Sequence, residues 1–267
     1  MSLPWIHPWT SMLCGPTGCG KTFFVKKFLK NIDPMSDTRF ARVILYYSEW
    51  QPTYRELEVD NIEFHEGLPQ NSDYAGDPRP KLIIIDNLMR QSNGVICDLF
   101  TKNSHHNNLS VIYITQNLFQ QGRGQRDVSL NSHYIVIFRN VRDRGQIQHL
   151  TRQIYPEDTR FLQEAYWDAT SRPYGYILLD LKQATPDNCR FRTCIFPDDT
   201  FQYVYTPSKK AATRHIHFQF YLCDGTVEST TVWSKERRNT NGSVSSQRRG
   251  AQGAAQKSQS NTRKKYL

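Results

Sequence analysis

The chain has 267 residues with 38% hydrophobic and 12% aromatic side chains, enough for one large core or two small ones. No apolar run approaches the ~18–20 residues a membrane-spanning helix needs, and "MSLPWIHPWTSML" lacks the basic start and apolar stretch of a secretory signal. The formal charge of +9 is unevenly spread: nine Lys or Arg and one Glu fall in residues 234–267, leaving 25 basic and 24 acidic residues before them.

In chain order, "WTSMLCG" (9–15) reads as a short buried strand followed by a Gly-rich turn. The next helix carries Phe24, Val25, Phe28, Leu29 and Ile32 on one face and Lys26, Lys27 and Lys30 on the other. "ARVILYYS" (41–48) is a second strand, "QPTYRELEV" a short helix and "NIEFHEG" another strand, with a loop at "PQNSDYAGDPRP". Then come the strand "KLIIID", a helix from about Leu88 to Lys102, and the strands "LSVIYIT" (109–115) and "HYIVIF" (133–138). Two helical patterns follow, around Ile147, Leu150 and Ile154 and around Phe161, Leu162, Ala165 and Tyr166; "PYGYILLDL" and "FRTCIF" read as late strands. Short continuous apolar strands alternating with helices predict an α/β fold, a mostly parallel sheet with helices on both faces. The tail from Ser234, rich in Ser, Gln, Gly, Asn and Arg, has too little to bury and is expected to be disordered. It is either a solvated extension, a nucleic-acid contact or, in "TRKKYL", a nuclear import signal. The six cysteines never form a C-x-x-C pair, which argues for reduced structural thiols in an intracellular setting.

The strongest motif is "GPTGCGKT": Gly15, Pro16, Thr17, Gly18, Cys19, Gly20, Lys21 and Thr22 match G-x-x-x-x-G-K-[ST], between a strand and an amphipathic helix. Small residues let backbone N–H groups converge on phosphate oxygens at a helix N-terminus. Lys21 is expected to reach the β- and γ-phosphates and Thr22 to ligate Mg²⁺. "LIIID" supplies the partner, an apolar strand ending in Asp86 that would hold the metal's hydration shell. "VIYITQN" places Gln116 at another strand end, as a γ-phosphate sensor, a water-orienting group or a strand-terminal residue bonded to a turn.

The stretches "HPWTSMLCGPTGCGKT", "LIIIDNLM", "SHHNNLSVIYITQNLF", "LNSHYIVIFRNVRD" and "RPYGYILLDL" resemble the genome-packaging ATPases of the FtsK–HerA superfamily. Within it the chain looks like the ATPases of Polinton/Maverick elements and adintovirus-like viruses, related to those of poxviruses and virophages. The likeness runs over roughly residues 7–197. It implies a P-loop NTPase with a RecA-like (ASCE-type) core in which an additional strand lies between the two nucleotide motifs. It also implies ATP and Mg²⁺ as cofactors and a hexameric or pentameric ring that drives double-stranded DNA into a capsid, with capsid or portal-vertex proteins as partners. The setting would be the host nucleus or a cytoplasmic assembly site, or the virion itself. The domain division that follows is 1–207 for the ATPase, 208–233 for a C-terminal extension and 234–267 for the basic tail.

By the same resemblance Lys21, Asp86 and Gln116 are catalytic, and an arginine from a neighbouring subunit stabilises transition-state charge. Candidates are Arg123 and Arg126, then Arg139, Arg142 and Arg144. The departure is Asn87, where relatives usually carry Asp or Glu. A neutral amide orients water but is a poor base, and losing a true general base costs about 10²–10⁴-fold. Glu49 and Asp86 are possible substitutes; His105 and His106 read as structural or DNA-facing. The competing functional readings are a catalytically impaired nucleotide-binding module, from a decayed or domesticated packaging ATPase, and a small-substrate P-loop kinase. The kinase is disfavoured because no lid or acceptor pocket is evident.

Overall fold

A computed structural model describes residues 3–57, 59–86, 88, 93–104, 107–119, 125–207, 215–221 and 227–233. Asn87, Arg123, His105, His106, Cys223 and the basic tail lie outside the described residues.

The apolar runs of the sequence become the strands β1 (Thr10–Cys14), β2 (Arg42–Tyr47), β3 (Ile62–Glu66), β4 (Lys81–Asp86), β5 (Leu109–Thr115) and β6 (Tyr134–Phe138). They lie in the order β3-β2-β4-β5-β1-β6, all parallel. The chain is thus an α/β P-loop-type fold, and β5 sits between the strand that feeds the phosphate loop and the strand that ends in Asp86. Beyond β6 the sheet continues antiparallel through β7 (Tyr176–Asp180), β8 (Phe191–Thr193), β9 (Gln202–Pro207), β10 (His215–Tyr221) and β11 (Val227–Trp233). Antiparallel neighbours need only short turns, whereas each parallel step needs a crossover.

Why the central strands are mostly apolar follows from what covers them. Along β4, Ile83 and Ile85 face one core while Leu82 and Ile84 face the other, as the two-residue period of a strand requires. The second core takes helix α1 (Lys21–Lys30) through Phe24, Val25, Phe28 and Leu29, together with Trp5 and Trp9. The first takes Ile147 and Leu150 from the helix Gly145–Ile154, and Phe161, Leu162, Ala165 and Tyr166 from the helix Thr159–Ala169. Among the described residues no helix is long and apolar enough to cross a membrane.

Two local outcomes differ from the sequence reading. The helix expected over Leu88–Lys102 is described only as Asn93–Asp98 followed by a wider π turn at Leu99–Asn103. "QPTYRELEV" forms a single 3₁₀ turn, Pro52–Glu56, with Pro52 at its start, where a missing N–H costs nothing. Lys81, at the start of β4, is fully buried and donates to the Asp77 and Arg79 carbonyls.

A buried ion pair ties β7 to β8 in the antiparallel part of the sheet. Arg192 Nη2 lies 2.6 Å from Asp180 Oδ2, with both side chains almost fully enclosed. Asp180 also accepts from the Thr185 hydroxyl at 2.8 Å, and Arg192 donates to the Leu3 carbonyl at 3.4 Å. Arg192→Ala leaves that carboxylate buried without its cation, which costs about 3–5 kcal/mol. The expected result is a drop of that size in urea-denaturation stability.

Candidate nucleotide site

The site forms where the parallel strands end. Cys14 pairs in register with Thr115, and Asp86 pairs with Ile114 on one side and Tyr47 on the other. The Gly15 N–H donates to the Thr115 carbonyl at 3.3 Å. These ladders bring the start of the phosphate loop, the end of β5 and Asp86 together at the carboxyl end of the central parallel strands, from well-separated positions in the chain.

Glycine is required in the loop for space and for backbone conformation. A Cβ on Gly15 would stand 2.6 Å from the Cys19 sulfur and 2.8 Å from Phe138 Cβ. Gly20, directly before α1, has φ +109°, and a Cβ there would meet the Tyr174 ring at 2.9 Å. Gly20→Ala therefore combines strain with a clash, together about 1–3 kcal/mol. It is expected to lower the melting temperature and weaken nucleotide binding, checked by thermal melts with and without ATP. No side chain caps the N-terminus of α1, and its first turn holds no acidic residue, so its leading N–H groups suit an anion. Lys21 is tethered within the loop: its Nζ donates to the Gly15 carbonyl at 2.6 Å and to the Pro16 carbonyl at 2.9 Å. Thr22 follows in the first turn of α1. Burial raises the Cys19 thiol above its ordinary value, against the opposing charge of Lys21.

Asp86 is 5% exposed. Its Oδ2 accepts from the Tyr54 hydroxyl at 2.7 Å and from Gln51 Nε2 at 3.3 Å. Among the described residues, no hydrogen bond goes to Oδ1. Burial pushes the Asp86 carboxyl above the usual range, while the Tyr54 hydrogen bond and the charge of Lys21 pull it down. Burial and the neighbouring carboxylate raise the Tyr54 phenol, so it stays a donor. A buried carboxylate with one oxygen fixed and the other available, opposite a lysine and beside a hydroxyl, suits a hard cation with mostly oxygen ligands. Tyr54 and Gln51 were not singled out from sequence. The only signal for them is that "QPTY" follows β2, the strand next to β4.

Gln116 is the first residue past β5 and is exposed, with the Asp86 strand on one side and the phosphate-loop strand on the other. Arg126 is exposed on the helix Gln125–Leu130. Arg139 reaches the Thr170 carbonyl at 3.5 Å, and Arg144 stacks 5.4 Å from the Trp167 ring centre, so both are engaged within the subunit. Arg142 is exposed in the loop after β6. Glu49 lies exposed just past β2.

No protein-family model and no curated protein matches the chain. Among solved structures, the genome packaging NTPase B204 of Sulfolobus turreted icosahedral virus 2, in complex with ATP-gammaS, is 13% identical with TM-score 0.44, covering 69% of this chain and 95% of that one. The DNA-packaging ATPase B204 of Sulfolobus turreted icosahedral virus is 13% identical with TM-score 0.44, covering 65% and 92%. EccC of Thermomonospora curvata (ATPases 2 and 3, with a signal sequence peptide) is 10% identical with TM-score 0.35, covering 49% of this chain and 30% of that one. Likeness at this level does not bear on activity.

Proposed function

We propose that the chain is an ATP-hydrolysing motor that translocates double-stranded DNA into a viral or element capsid. It would belong to the FtsK–HerA packaging ATPases and, within them, to the Polinton and adintovirus-like group. The observation that carries the nucleotide part is the convergence of Gly15–Thr22 and the buried Asp86 at the carboxyl end of the parallel strands, with β5 between their strands. DNA as the track rests on the sequence resemblance.

In this reading the loop N–H groups and the start of α1 hold the phosphates, and Lys21 leaves its loop carbonyls to meet the β- and γ-oxygens. Thr22 and Asp86 would hold Mg²⁺, whose charge would neutralise the phosphate oxygens when bound. Gln116 orients water or senses the γ-phosphate. An arginine of an adjoining subunit in a hexameric or pentameric ring completes the site: Arg123 or Arg126, or else Arg142, since Arg139 and Arg144 have partners at home. The ATPase domain is 1–207, with 208–233 an extension and 234–267 a basic tail. Partners are double-stranded DNA and capsid or portal-vertex proteins, at a nuclear or cytoplasmic assembly site or in the virion.

The second reading, a binding module with impaired hydrolysis, is favoured by Asn87 at the usual acidic position. Phosphate release by the purified chain, with and without duplex DNA, separates the two. The motor reading expects turnover that duplex DNA stimulates, raised further by Asn87→Asp or Asn87→Glu. ATP binding without turnover under either condition contradicts the motor.

A further inference from the structure

Two large aromatic side chains stand in solvent beside the phosphate loop. Phe23, one residue past Thr22, is 58% exposed, and Tyr174 is 60% exposed. Their ring centres are 5.9 Å apart, with planes inclined by 32°. Tyr174 belongs to the turn between the helix Thr159–Ala169 and β7, yet it lies against Gly20, close enough that a Cβ there would fall 2.9 Å from its ring. Its backbone is left-handed, φ +58°, a conformation that a bulky residue rarely adopts. The turn imposes it: Gly175 donates to the Arg172 carbonyl at 3.0 Å, and a Cβ at Gly175 would stand 2.5 Å from the Ala169 carbonyl oxygen. The hydroxyl of Tyr174 has no hydrogen-bond partner among the described residues, and neither ring belongs to either core. Neither ring is therefore part of core packing, and the left-handed turn fixes where Tyr174 emerges beside Gly20.

We propose that Phe23 and Tyr174 form the stacking platform for the base of the nucleotide whose phosphates the loop holds. The proposal rests on the nucleotide reading of Gly15–Thr22 and adds where the base goes. Placement argues for this occupant. Phe23 directly follows Thr22 in the first turn of α1 and Tyr174 lies against Gly20, so the two rings flank the loop that would hold the phosphates. Aromatic faces receive any heterocycle by stacking. The base contact is therefore one of ring area, so ATP and GTP bind with similar strength.

The test compares ATPγS with inorganic triphosphate as calorimetric ligands of the full chain, alone and as the variants Phe23→Ser, Tyr174→Asn and Tyr174→Phe. Asn tolerates left-handed backbone, so Tyr174→Asn removes the ring without new strain. The expected result is a loss of about tenfold to a hundredfold in ATPγS affinity for Phe23→Ser and Tyr174→Asn. Triphosphate affinity stays unchanged, and Tyr174→Phe keeps wild-type affinity. Equal losses for both ligands, or none for ATPγS, overturn the platform. So does a change in self-association by light scattering with ATPγS affinity intact, which would make the pair a contact between copies. If wild type binds neither ligand, the nucleotide reading of the loop fails and the platform falls with it.

Discussion

Lys21→Ala is expected to reduce ATP turnover by about 10³-fold or more, the scale on which cationic stabilisation of phosphoryl transfer operates. The fold should survive. Among the described residues, Lys21 Nζ bonds within its own loop, to Gly15 and Pro16 carbonyls and more distantly to the Cys19 sulfur. The burial of α1 is carried by Phe24, Val25, Phe28 and Leu29, and alanine is the better helix former. The measurement is phosphate release with duplex DNA present, beside a thermal melt. A comparable loss of both turnover and melting temperature would mean that Lys21 supports the loop and not the chemistry.

Asp86→Asn separates function from stability more sharply. Turnover should fall about 10²–10³-fold, since the carboxylate that would hold Mg²⁺ is gone. Stability at neutral pH should hold or rise. The amide oxygen of the substituted side chain can still accept from the Tyr54 hydroxyl, and no charge is left in a site that is 5% exposed. The pH dependence has a definite sign. Burial raises the folded-state pKa of Asp86 above its unfolded value, so the folded form binds the proton more tightly. That contribution is fully present below the unfolded value and lost as pH rises through the folded one. The stability gain of Asp86→Asn over wild type should therefore be largest near neutrality and shrink as the pH falls through the raised value. Urea titrations of both proteins across that range give the comparison.

The parts of this molecule that could be read from sequence are those whose physics is local. β1, β2, β4, β5 and β6 are mostly apolar because both faces of the sheet are covered, and the phosphate loop has glycines at fixed positions for steric reasons visible in the surroundings of Gly15 and Gly20. The surroundings of Asp86 were not legible, because Gln51 and Tyr54 reach it across the sheet from 35 and 32 residues away. No pattern marks a tyrosine whose phenol will point at a carboxylate one strand over. The antiparallel strands β9–β11 were missed for a related reason. Half-polar segments such as "VESTTVW" carry little signal alone, and strand pairing defines them. Tyr174 looked like the start of a strand, "PYGYILLDL"; the crowding around Gly175 turns it into a left-handed corner beside Gly20.

The central claim is that Gly15–Thr22 and Asp86 together make a magnesium–nucleotide site. Calorimetric titration of ATPγS into the full chain, once with Mg²⁺ and once with EDTA, tests it most directly. The prediction is saturable binding that Mg²⁺ tightens in wild type, with the Mg²⁺ effect lost in Asp86→Asn. Absence of binding, or binding of equal strength with and without Mg²⁺, would contradict it.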